Sequence, residues 1–123
     1  MKMTKNRQAV LDVLEGKTKA LSAEEINKAL EDKGLDKWLS TTYRNLEALE
    51  KMDLIKRIRV PEDDKAYYVI TKGHQHFALC LSCKDLIEDL ACPMDAYKER
   101  LAQEDFNTTG HSFLIYGYCK NCR

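Results

Sequence analysis

Apolar side chains recur at helical spacing almost from the start of the chain. Between Thr4 and Glu15, the residues Ala9, Val10, Val13 and Leu14 fall on one stripe and Gly16 ends it, which predicts a first helix. Ser22-Ala23-Glu24-Glu25 has the form of a capping box, in which the serine hydroxyl and the Glu25 carboxylate each satisfy a free backbone N–H. Ile26, Ala29 and Leu30 supply the buried stripe of a second helix, stopped by Gly34. After a short linker ending at Leu39-Ser40, Thr42, Leu46 and Leu49 share one face of a third helix reaching Met52.

The period then changes. Leu54 to Val60 alternates apolar with basic residues, Pro61-Glu62-Asp63-Asp64 reads as a turn, and Ala66 to Ile70 returns as a second strand. Three helices and a basic-edged hairpin describe a winged helix-turn-helix. Beyond Lys72-Gly73 the pattern predicts strands over Phe77–Leu79 and Leu86–Leu90, a helix opened by Pro93 and running to Gln103, and a last strand over Phe113–Tyr116. The expected class is therefore α+β, with a winged helix over 1–72 and a small α/β domain over 73–123. No internal repeat or low-complexity segment interrupts this order.

Length makes the division informative. Two domains within 123 residues are each small enough to need a metal, a disulfide or a partner chain. Residues 1–72 carry 15 basic against 13 acidic side chains, and residues 73–123 carry 5 against 7, so only the first half leans positive. No apolar run nears the roughly 20 residues that span a bilayer, and the first residues lack the form of a secretory signal, so a cytoplasmic protein is expected. The five cysteines, Cys80, Cys83, Cys92, Cys119 and Cys122, all lie in the second half. An odd number in a reducing compartment disfavours a disulfide framework and favours thiolates for metal.

Cys80-Leu-Ser-Cys83 and Cys119-Lys-Asn-Cys122 are two C-x-x-C units, the spacing at which one turn presents two thiolates to one ion. Together they predict a tetrahedral four-sulfur structural zinc site. A redox role for either pair lacks the βαβ setting that thioredoxin-like motifs need. All three histidines, His74, His76 and His111, also fall in this half. A second site built on them needs a fourth donor: Asp95 is the first choice, with Cys92, Glu88 and Glu104 as competitors. On spacing alone, three scattered histidines are more often solvated polar residues than ligands.

The third helix bears Thr41, Tyr43, Arg44 and Asn45 on a polar face at its N-terminal end, the end that enters the major groove in helix-turn-helix proteins. Arg44 suits guanine O6 and N7, Tyr43 a thymine methyl, and Thr41 a phosphate. Lys2, Lys5 and Arg7 before the first helix, and Lys56, Arg57 and Arg59 near the wing, are placed for flanking phosphates. Net charge alone argues the other way, because +2 is modest for a DNA-binding surface.

Taken in order, these pieces resemble the ferric uptake regulator superfamily along nearly the whole chain. Thr4-x-x-Arg7 with Val10-Leu11 is similar to the family's opening helix, Ser22 to Ile26 to its second, and Ser40-Thr41-Thr42-Tyr43-Arg44-Asn45-Leu46 to its recognition helix. His74-x-His76, Cys80-x-x-Cys83, Gly110-His111 and Tyr116-Gly117-Tyr118-Cys119-x-x-Cys122 follow the C-terminal signature in order and spacing. The resemblance implies a homodimeric, metal-responsive repressor of operator DNA, not an enzyme, with structural zinc on the four cysteines. It also implies a regulatory metal on His74, His76, Asp95 and His111, with Cys92 as the alternative donor. The family's hinge site uses a further histidine pair, and those places hold Gln75 and Phe77, which weighs against iron sensing and peroxide sensing. Zinc is the expected regulatory ion, as in the zinc uptake branch. The rival readings are an iron-, manganese- or peroxide-responsive relative and a zinc-binding protein-interaction adaptor.

Overall fold

The computed structural model describes residues 2–35, 38–61, 63–71 and 73–123. The first helix, α1 (Lys5–Leu14), begins where the Thr4 hydroxyl accepts the Arg7 N–H and ends against Gly16 at φ +73, a left-handed value that glycine adopts without a Cβ clash. A two-residue strand, β1 (Leu21–Ser22), which the pattern did not foretell, leads into α2 (Ala23–Asp32). The capping box is complete: Glu25 N–H donates to the Ser22 hydroxyl at 3.2 Å, and Ser22 N–H donates to Glu25 Oε1 at 2.9 Å. The third helix, α3 (Leu39–Lys51), starts two residues before Thr41, because the Trp38 carbonyl already accepts from Thr41 and Thr42.

The wing is the hairpin of β2 (Ile55–Arg59) and β3 (Ala66–Ile70), paired antiparallel from Ile55↔Ile70 to Arg59↔Ala66. β1 adds to the other edge of β3, giving a sheet of order β1-β3-β2. Of its turn, Glu62 lies outside the described residues. Val10, Val13, Leu14, Ile26, Leu30, Leu46, Leu49, Ile55 and Tyr68 interlock beneath the three helices. Thr42 is buried with them and spends its hydroxyl on Asn27 Oδ1, which explains a polar residue at a core position.

The second sheet has the order β5-β4-β6. β4 (His76–Cys80) pairs antiparallel with β5 (Leu86–Leu90) and parallel with β6 (Ile115–Gly117). The expected boundary at Lys72-Gly73 falls between the sheets, with Lys72 itself outside the described residues. The two halves share an apolar cluster: Ala20, Ile58, Val60, Tyr67 and Val69 from one, Phe77 and Leu79 from the other. The helix expected over Pro93–Gln103 divides into a 3-10 turn (Pro93–Ala96) and α4 (Lys98–Gln103), with Tyr97 between them. Neither piece buries a residue, so no packed stripe holds the segment to one axis.

Leu46 is fully buried at the centre of the three-helix core. Leu46→Ala is expected to destabilise the folded chain by about 2–5 kcal/mol, read as a lower urea midpoint with an unchanged slope.

Candidate metal centres

The end of β4 and the tail after β6 bring four cysteine sulfurs together. The ligand atoms of Cys80, Cys83, Cys119 and Cys122 all lie within 4.8 Å of one another, with Cys83 Sγ 3.8 Å from Cys119 Sγ. Parallel pairing of Cys80 with Gly117 sets the two C-x-x-C turns side by side. Backbone N–H groups of Cys83 and Cys119 donate to Cys80 Sγ at 3.5 Å, and these donors draw its thiol down to about 6, against the opposing effect of burial. Those donors favour the thiolate form of that sulfur. Cys83 moves the other way, up to about 12: an amide hydrogen bond at Asp85 works to lower it, but burial and the neighbouring sulfurs outweigh that bond. Four sulfurs this close cannot all carry charge without a cation among them. The donor set fits a tetrahedral zinc site.

A second group forms at the junction of the halves. Nε2 of His74 lies 3.0 Å from Nε2 of His76 and 3.2 Å from Nε2 of His111, and the His76–His111 separation is 3.2 Å. His74 belongs to the connection between β3 and β4, His76 opens β4, and His111 precedes β6. Three ring nitrogens converging on one point have no mutual hydrogen-bond pattern that satisfies all of them. A cation at their centre would. His76 is buried, and its basicity is depressed by that burial first and by the neighbouring His74 and His111 rings next, which favours the neutral, ligating form. Phe113 packs edge-on against its ring at 5.5 Å, a support that no sequence signal announced.

The side chain gathered with the three histidines is Cys92, and Asp95 stands apart from them. Cys92 Sγ stands 3.4 Å from His111 Nε2 and shares the 4.8 Å grouping with the three histidines. The residue caps the 3-10 turn, accepting the Met94 N–H, and the cap aims its sulfur inward. Asp95 lies further along that turn with its side chain 85 % exposed, and its Oδ1 pairs with Lys98 Nζ at 2.8 Å. The Lys98 hydrogen bond holds its carboxyl below the ordinary range. Of the other candidates, Glu104 pairs with Arg100 and Glu88 is exposed on β5. A cavity of about 500 Å³, walled by His74, His76, His111, Glu50 and Asp53, opens the group to solvent between the halves.

A match to the ferric uptake regulator family covers residues 1–116. The chain belongs to the ferric uptake regulator family. It is 29% identical over 126 residues to the ferric uptake regulation protein of Neisseria meningitidis, spanning 100% of this chain and 87% of that one. It is 30% identical over 125 residues to the peroxide-responsive repressor PerR of Staphylococcus saprophyticus, spanning 100% and 83%. The Vibrio cholerae ferric uptake regulator has the same fold at a TM-score of 0.76 and 30% identity, covering 97% of this chain and 92% of its own. Ferric uptake regulators are metal-responsive transcription regulators and not enzymes; they bind operator DNA and are dimeric. Among the described residues, no helix is long and apolar enough to cross a membrane.

The residues expected to touch DNA are unequally available. Arg44 is exposed on α3, and Thr41 and Asn45 beside it are half-buried. The Tyr43 hydroxyl donates to Glu24 Oε1 on α2 at 3.1 Å, which fixes the ring 45 % exposed beside Arg44. Lys2 and Lys5 are exposed, whereas Arg7 turns back to the Lys2 carbonyl. Arg57 Nε sits 3.7 Å from Glu50 Oε2, and its side chain is half exposed. Arg59 is exposed, and Lys56 lies 5.8 Å from the Phe77 ring.

Cys92→Ser is expected to weaken binding of a second zinc ion by at least about tenfold in competition with a colorimetric chelator, while Asp95→Asn leaves it unchanged. The reverse order would return the fourth position to Asp95.

Proposed function

We propose that this chain is a zinc-dependent repressor: Cys80, Cys83, Cys119 and Cys122 hold a structural zinc, and His74, His76, Cys92 and His111 hold a regulatory one that favours the DNA-binding arrangement. The observation that carries the reading is a sulfur atom among three converging imidazoles. A thiolate selects soft or borderline ions, and a four-coordinate set of three neutral imidazoles and one thiolate suits zinc better than the harder manganese or iron(II). Gln75 and Phe77, at the places of the family's further histidine pair, weigh the same way.

The bound ion supplies a cross-link between segments that the backbone leaves separate. The protein's own residues turn that link into a switch. His74 lies in the connection that joins the winged helix (1–72) to the dimerisation domain (73–123), between the end of β3 at Ile70 and the start of β4 at His76. Holding it against His76, Cys92 and His111 pins that connection and restricts the angle between the halves. Metal that prefers the pinned arrangement shifts the population toward it, and DNA that prefers the same arrangement binds more tightly by the same factor.

Dimerisation gives two recognition helices. Ile87 and Ile115, both in register with Ala78, leave an apolar row exposed on one face of the β5-β4-β6 sheet, which supports a second copy docking there. Each α3 then offers Thr41, Tyr43, Arg44 and Asn45 to a half-site, with Lys2, Lys5, Arg7 and Arg57 on the flanking backbone. A cytoplasmic location follows from this role.

Affinity for an operator duplex selected from a random pool is expected to rise about 5- to 150-fold with zinc, relative to protein treated with a mild chelator that spares the four-cysteine site. Equal affinity in the two states rules the switch out. Arg44→Ala should cost about 1–3 kcal/mol and relax the preference at one base position, without changing metal content.

A further inference from the structure

The turn between Cys80 and Cys83 is tied to the wing by more than apolar contact, and the tie runs through Lys84. This residue follows Cys83 directly and has φ +67, a left-handed conformation that a long side chain adopts only where its surroundings impose it. Its N–H donates to the Cys80 carbonyl at 2.9 Å, and its own carbonyl accepts the Ala20 N–H at 3.0 Å. Its ammonium donates to the Leu81 carbonyl, lies 5.0 Å above the Tyr67 ring and stands 3.9 Å from Asp63 Oδ2. One residue thus touches the cysteine turn, the segment leading into β1 and the wing.

Its neighbours extend the contact into a short ladder. Leu86 N–H donates to the Thr18 carbonyl at 2.9 Å, and Lys19 bridges antiparallel to Asp85. Residues 18–20 therefore pair with 84–86, and the next two, Leu21 and Ser22, pair with β3. Asp63 is itself held: it accepts the Lys65 N–H at 2.9 Å and the Tyr67 hydroxyl at 2.9 Å. The side chains of Lys84 and Asp63 are 16 % and 26 % exposed, so their attraction is less screened than that of a surface pair.

We propose that Lys84 is a positioning residue for DNA binding, which transmits the geometry of the four-cysteine turn to the wing. The turn fixes the Lys84 backbone, its side chain fixes Asp63 and Tyr67, and these set the hairpin whose β2 strand carries Arg57 and Arg59. The structural site, and not only the histidine cluster, then governs how the wing meets the duplex. The inference rests on the DNA-binding reading above.

The test uses the full-length zinc-loaded protein and two readouts. The first, without DNA, is hydrogen exchange at the Lys65 amide, whose partner is Asp63. The second is affinity for the pool-selected duplex. Lys84→Met should speed Lys65 exchange and weaken the duplex each by about fivefold to tenfold, with zinc content, Leu46 exchange and histidine-site affinity unchanged. Lys84→Arg, which keeps the charge and the ring contact, should restore both. If Lys84→Met fails to fold, Asp63→Asn breaks the same contact from the wing side and carries the test. Unchanged Lys65 exchange overturns the proposal. So does weakened affinity without faster exchange, which would make Lys84 a direct phosphate contact. A parent protein that binds no duplex contradicts the repressor reading and the affinity half of this proposal, while the exchange result is read independently of DNA.

Discussion

Four sulfurs at one point are what the C-terminal half depends on. Among its described residues only His76, Phe77, Leu79 and Cys80 are buried, all on β4, and Phe77 and Leu79 pack against the winged helix. That is too little apolar burial to order a separate sheet. β6 joins β4 through a three-residue parallel register across a long loop, a pairing that costs loop-closure entropy and returns few hydrogen bonds. The cysteines fasten that register at its end. On the proposed reading, an ion held by Cys80, Cys83, Cys119 and Cys122 would make the tail part of the sheet and supply as binding energy what packing does not.

The histidine cluster inherits this constraint. His111 lies only a few residues ahead of β6, so its ring meets His74 and His76 only while the tail is in register with β4. On the proposed reading, the histidine site therefore depends on the four-cysteine site. The same dependence reaches the wing through residues 18–20 and the shared apolar cluster. A chain of short-range contacts thus connects the four cysteines to the wing.

Much of this was legible in the residues. The three helices, the capping box at Ser22 and Glu25, the hairpin and the paired C-x-x-C units carry local signals, and local signals are what periodicity and spacing report. The family resemblance supplied what spacing could not, namely that three scattered histidines converge. Spacing could not decide between Cys92 and Asp95 because the difference turns on a cap: a 3-10 turn opened by Cys92-Pro93 sets the sulfur beside the histidines and lets Asp95 pair with Lys98 in solvent. A cysteine just before a helix-opening proline was the available clue. β1 and the 18–20 to 84–86 ladder left no sequence signal, since two or three residues paired across a long separation have no period to detect.

The most direct test of the account is amide hydrogen exchange across the whole chain, with zinc bound and after complete removal by a strong chelator. With every metal removed, protection at Leu79 in β4 and Tyr116 in β6 should vanish while Leu46 and Leu49 in α3 keep theirs. Protection of β4 and β6 that survives metal removal would mean that the polypeptide orders its own C-terminal half, and would contradict the account.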